Sequence, residues 1–160
     1  MDDIRRALNN IVPDIFDTPD KKRKKLDIFV GYKFDNKLVN ELFEKKLKPL
    51  IEDLFRRYSP IKDSVSNPNF KFDKPVMDNI LRQIDNSRMA IIDLTDHSYN
   101  VYYEAGILFG KEIPIIFTAH SKEKGSIPFD INEFHVFYWD ENEENKFLSE
   151  VRQCILSELD

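Results

Sequence analysis

The run Met89-Ala90-Ile91-Ile92-Asp93-Leu94 restricts the fold of this chain more than any other segment. Four consecutive apolar residues stop at an acid, and a strand covered on both faces of a parallel sheet buries such a run. Ile113-Pro114-Ile115-Ile116-Phe117 has the same character, with Pro114 near its start, where a missing N–H donor is tolerated. Further extended segments are read at Leu26–Val30, which runs into Gly31, and at Phe134–Trp139, with a weaker signal over Ile61–Val65. Helical patterns separate these runs, and strand alternating with helix predicts a doubly wound parallel sheet of about five strands.

The helical patterns are explicit. Leu38, Leu42, Phe43, Leu47, Leu50, Ile51, Leu54 and Phe55 form one stripe, which Pro49 is expected to kink or split. Asp73-Lys74-Pro75 reads as a helix start, with an acid to cap and a proline in the first turn, and Val76, Ile80, Leu81 and Ile84 turn inward behind it. Val101–Gly110 is a third helix. The last carries Phe147, Leu148, Val151, Ile155 and Leu159 inward, with Cys154 on or beside that stripe as a packing residue. The polar stretch Asp17–Lys25 marks off residues 1–25 as an N-terminal appendage or linker, leaving one α/β domain over 26–160.

Composition narrows the function classes. A chain of 160 residues, 41% of them hydrophobic, supplies one sizeable core and excludes a large multidomain enzyme. The net charge of -5 argues against a nucleic-acid partner, and the basic run Lys21–Lys25 reads as a solvated linker. A single cysteine, Cys154, cannot form an internal disulfide and fits a reducing, cytoplasmic location. No stretch approaches a membrane span, and Met1-Asp2-Asp3-Ile4 does not open like a secretory signal, so no membrane partner is expected. His97, His120 and His135 lack metal-ligand spacing, so no metal site is expected. Four glycines leave no room for a P-loop or a dinucleotide fingerprint.

Ligands of doubly wound sheets bind at the carboxyl ends of the strands, where strand order reverses. For a flavodoxin-like order, in a three-layer sandwich, that crevice nominates Gly31, Tyr32, Lys33, Phe34 and Asp35 together with Asp93–Asp96. Glu104 is expected in about the first turn of the following helix, with Ser98 or Asn100 as cap, where the helix N-terminus favours an ionised side chain. A carboxylate there can stabilise an oxocarbenium-like sugar or attack its anomeric carbon, while a second one, Asp93, orients sugar hydroxyls. The competing structural reading has Glu104 complementing the helix dipole and Asp93 capping a turn. Tyr32, Lys33 and Phe34 either meet a base and a phosphate or roof the core. Asp73 either meets a ribose or caps its helix. Of the adjacent Tyr102 and Tyr103, one packs and the other lies nearer the crevice. His97 lies in the same loop and is a candidate for proton transfer.

Ile91-Ile92-Asp93-Leu94-Thr95, then Asn100-Val101-Tyr102-Tyr103-Glu104-Ala105-Gly106-Ile107, then Gly110-Lys111-Glu112-Ile113-Pro114-Ile115-Ile116 form a pattern that resembles the nucleoside 2-deoxyribosyltransferase-like group and the bacterial TIR-like domains. Ile28-Phe29-Val30-Gly31-Tyr32-Lys33-Phe34-Asp35 and Ile127-Pro128-Phe129-Asp130-Ile131 are similar too, so the resemblance covers about residues 26–159. It implies a flavodoxin-like sheet and an N-glycosidase that cleaves NAD or another nucleotide or nucleoside, with Glu104 as nucleophile or electrostatic stabiliser and Asp93 as a second catalytic residue. It implies an NAD-like or nucleotide partner bound near Gly31, Tyr32, Lys33, Phe34, Asp73, Asp96, Ser98, Asn100 and Tyr103, with no cofactor, and a role as a bacterial antiphage effector. Ser98 stands where the transferases carry an Asp six residues before their Glu, which argues against transfer in particular. Val101-Tyr102-Tyr103 does not match the Ser- and Cys-containing run of eukaryotic NAD-cleaving TIR domains. The alternatives are a non-catalytic nucleotide-binding module and a protein-interaction module, and a homo-oligomer is left open as a further partner.

Overall fold

The computed structural model describes residues 27–58, 76–132 and 134–159. Its centre is a parallel sheet of four strands: β1 (Asp27–Gly31), β2 (Ser87–Asp93), β3 (Ile115–His120) and β4 (Val136–Trp139), hydrogen-bonded in the order β1-β2-β3-β4. Four strands stand where about five were expected. The weak segment at 61–65, the helix start with Asp73, and the appendage 1–25 lie outside the described residues.

Both apolar runs that predicted buried strands are strands, and β2, paired on both edges, is central. β3 begins at Ile115, just past Pro114, and continues to His120. Proline supplies no N–H, while its carbonyl still accepts from Ala90 N–H, so the ladder starts beside it rather than through it.

Side chains alternate along each strand, and the alternation divides the core into two layers. Met89, Ile91 and Ile116 face one cluster with Leu42, Leu47, Leu54, Trp139 and Phe147. Ala90, Ile92 and Phe117 face the other with Phe29, Ile84, Val101, Ala105 and Leu108. The first layer is roofed by α1 (Lys37–Leu42), α2 (Lys48–Tyr58) and α6 (Glu144–Leu159), and the second by α3 (Val76–Asp85) and α4 (Tyr99–Gly110). A short helix, α5 (Phe129–Asn132), precedes β4. The result is the α/β three-layer sandwich expected from the sequence, consistent with a flavodoxin-like fold.

Pro49 acts as its chemistry requires. A wide π-type turn, Phe43–Leu47, joins α1 to α2, and Lys48 N–H reaches back to the Phe43 carbonyl. The widened turn relieves the clash a proline ring makes with the carbonyl four residues earlier. Cys154 packs against the first cluster, and burial pushes its thiol pKa up, as a packing residue should behave. No helix among the described residues is long and apolar enough to cross a membrane.

Candidate functional site

The carboxyl ends of β1, β2 and β3 come together as a belt of polar side chains. β2 leads through Leu94 into a 3-10 turn, Thr95–His97, and then into α4, whose N-cap is Ser98. Asp96 and His97 both have positive φ, 60° and 50°. Left-handed backbone in residues other than glycine costs roughly 1 kcal/mol or more each and is held only by its surroundings.

Glu104 is the sixth residue of α4, and no acid lies in that helix's first turn. The expectation that the helix N-terminus holds it ionised is therefore corrected, because the helix field fades beyond the first turn. Burial pushes the Glu104 pKa up to about 7, and no donor or charge among the described residues opposes it. Val101, Ala105 and Leu108 seat α4 on the second core layer, and Glu104 flanks that stripe. Its Oε2 lies 2.6 Å from the point where a Gly31 Cβ would stand, and Ile92 Cδ1 lies 2.8 Å from the same point. Gly31 is thus the residue whose missing side chain makes room for the Glu104 carboxyl at the end of β1.

Asp93 departs from its expected role. It is 1% exposed; its Oδ1 accepts from Thr95 N–H, and its Oδ2 accepts from Thr118 Oγ1 at 2.7 Å and Trp139 Nε1 at 2.9 Å. Burial raises its pKa, against the hydrogen bonds that favour the ion. By strand alternation Asp93 shares the face of Met89 and Ile91, whereas α4 and Glu104 lie on the other. The pairing of Asp93 with Glu104 across one ligand is corrected: the sheet separates them, and Asp93 braces the ends of β2, β3 and β4.

Tyr32 is also corrected. It is buried in the first core layer, stacks on Phe43 at 4.5 Å, and its hydroxyl donates to Glu44 Oε1 at 3.0 Å. Burial, reinforced by Glu44, raises its pKa. Phe34 leans on the Tyr32 ring, on the first-layer side of the sheet, and is 63% exposed. Asn100, one turn before Glu104 on the same helix, is exposed, as is Tyr103. Ser98 is half-buried and makes no side-chain capping bond, although its carbonyl accepts from Tyr102 N–H. Of the two tyrosines, Tyr102 is the packed one, as one of the pair had to be.

Asp96 is the hub of the belt. Its Oδ2 accepts from Asn36 Nδ2 at 2.6 Å and lies 3.7 Å from Lys33 Nζ, while its Oδ1 accepts from Lys122 Nζ at 2.8 Å. These bonds hold its carboxyl below the usual range. Glu123, nearly buried, accepts from Asp96 N–H through Oε1 and meets His97 Nε2 through Oε2 at 2.9 Å. The other ring nitrogen, Nδ1, lies 2.8 Å from the Tyr102 hydroxyl. Tyr102 and Glu104 are about 200° apart around α4. His97 with Tyr102 therefore belongs to the β3 side of the helix and Glu104 to the β1 side.

Sequence reasoning missed Asn36, Lys122 and Glu123. Asn36 carried a legible signal: it precedes an amphipathic stripe, and its Oδ1 caps Val39 N–H. Lys122 and Glu123 follow β3, and the rule that ligands gather at strand ends applies there as well. Among the described residues, no group of three or more His, Cys, Asp or Glu side chains is arranged to hold a metal ion. No family model matches the chain, and no curated protein matches it.

Proposed function

We propose that this protein is an N-glycosidase that cleaves the bond between base and ribose in NAD or another nucleotide, with Glu104 as the group that meets the developing positive charge on the sugar. The observation that carries the reading is the Glu104 carboxyl resting against Gly31 at the carboxyl end of β1, half-buried and with no partner among the described residues. A poorly solvated carboxylate without a counter-ion interacts strongly with a cation that forms beside it, because no reorganisation of solvent is needed. Asn100, one turn before Glu104 on the same helix, offers an amide to a sugar hydroxyl. The resemblance in the residues from Ile91 to Ile116 supports the same chemistry.

One observation favours a second reading, a module that binds a nucleotide without turnover. Glycosidases use two carboxyl groups flanking one bond, and Asp93 lies on the far face of the sheet. Incubation of the protein with NAD and a panel of nucleotides, with released base followed by chromatography, tests both. Base released by the native chain and lost in Glu104→Gln supports the glycosidase. Binding with no release supports the module, and neither release nor binding refutes both readings.

A further inference from the structure

Three loops bring positively polarised groups to one point. Lys33 follows β1, Asn36 caps α1, and Lys122 lies in the 3-10 turn Ser121–Glu123 after β3. All three address a single carboxylate, that of Asp96, with Lys122 Nζ at 2.8 Å, Asn36 Nδ2 at 2.6 Å and Lys33 Nζ at 3.7 Å. The Asn36 amide cannot turn away, since its oxygen is committed to Val39 N–H. The two lysines keep 35% and 51% of their side-chain exposure, so the cluster opens to solvent.

This arrangement is a poor stabilising device. Exposed ion pairs contribute about 0 to 1 kcal/mol, while two consecutive left-handed residues cost at least as much. Backbone strain of this kind gathers where a ligand is recognised. We propose that Lys33, Asn36 and Lys122 form a phosphate subsite, in which the Asp96 carboxylate occupies the anion position of the free protein. The ligand is then a phosphorylated ribose compound, a nucleotide rather than a nucleoside. This rests on the proposed function and names its substrate class.

Charge and position both fit. A terminal phosphate monoester, such as that of ribose 5-phosphate, carries close to two negative charges and three strong acceptor oxygens, against the single charge of Asp96. Two other acids stand farther from the lysines: Asp35, 3.9 Å from Lys33, is 80% exposed, and Glu123 Oε1, 4.0 Å from Lys122, accepts from Asp96 N–H while Oε2 meets His97. Lys33 is two residues beyond Gly31, about 7 Å of extended chain. The subsite and Glu104 therefore share the end of β1, one on the sugar and the other on its phosphate.

Calorimetric titration of the full chain with ribose 5-phosphate, and with ribose as control, tests this. Ribose 5-phosphate is expected to bind and ribose to bind at least tenfold more weakly. Lys33→Gln, at a half-buried position, and Lys122→Gln, at an exposed one, are each expected to weaken the phosphate ligand about tenfold, as loss of one charge-assisted hydrogen bond does. Asp96→Gly is the decisive variant: glycine suits φ of 60°, the loop keeps its path, and removal of the resident carboxylate should tighten phosphate binding severalfold. A purely structural Asp96 gives the opposite result, no gain or a loss. Equal binding of the two sugars, lysine variants without effect, or weaker binding in Asp96→Gly overturns the subsite. The titration reads binding alone. Base release from unphosphorylated nucleosides as efficient as from nucleotides would refute the subsite and leave Glu104 in place, whereas phosphate binding without base release would do the reverse.

Discussion

Glu104→Gln should make the protein more stable, and only above a definite pH. Folding moves this carboxyl from water, where its pKa is 4.5, to a half-buried position where it is about 7. Between those values the native state binds more protons than the unfolded chain, so stability falls as pH rises through the window. The full displacement corresponds to about 3 kcal/mol, an upper bound that solvent screening of a half-buried group reduces to about 2 kcal/mol. Glutamine matches the shape of the protonated acid and never ionises. At pH 4.5 and below, native and variant should therefore unfold together. At pH 8 the variant should lead by about 2 kcal/mol, or roughly 4–8 °C in melting temperature for a chain of this size. Urea unfolding at pH 5 and pH 8, with midpoints compared at equal slope, measures the difference. A gap that is the same at both pH values, or a less stable variant at pH 8, would show that Glu104 is satisfied as a carboxylate and refute the argument from desolvation.

The same acid sets the expected pH profile: kcat/KM for base release should rise through about pH 7 and level above it, because only the ionised Glu104 meets a cation, and Glu104→Gln should lower the plateau about a thousandfold. A profile flat from pH 5 to 8 would exclude that role. Gly31→Ala places a methyl group 2.6 Å from Glu104 Oε2 and 2.8 Å from Ile92 Cδ1, and should cost about 1–3 kcal/mol. Adding Glu104→Ala should recover part of that loss in a double-mutant cycle, and additive effects would place the two residues apart. Thr118→Val removes one of the donors on the buried Asp93 and should cost about 1–3 kcal/mol, read by urea unfolding with Trp139 fluorescence as the probe. An unchanged midpoint would mean that Asp93 does not brace the strand ends.

Much of the architecture was legible in the chain itself. Continuous apolar runs at 89–92 and 115–117 required a sheet covered on both faces, and the stripe from Leu42 to Leu54 required a helix interrupted near Pro49, although Leu38, read as its first member, is exposed and Val39 is buried instead. These readings succeed because they depend on local periodicity and on the chemistry of single residues. The same locality placed Gly31 and Asp96 at the carboxyl ends of the strands.

Tertiary packing decided which of these side chains could meet. Asp93 and Glu104 are eleven positions apart in sequence, and the helix that carries Glu104 packs on the face opposite Asp93. Strand alternation establishes that successive residues face opposite ways, but only the packed helices determine what each face meets. Tyr32 joined the core because Phe43 and Glu44 came back over the sheet to receive it. Asp96 became a hub because loops from β1 and β3, 60 residues and 26 residues away, closed around a left-handed turn. Sequence order determined the elements and their chemistry; long-range closure of the strand ends determined which polar groups share a site.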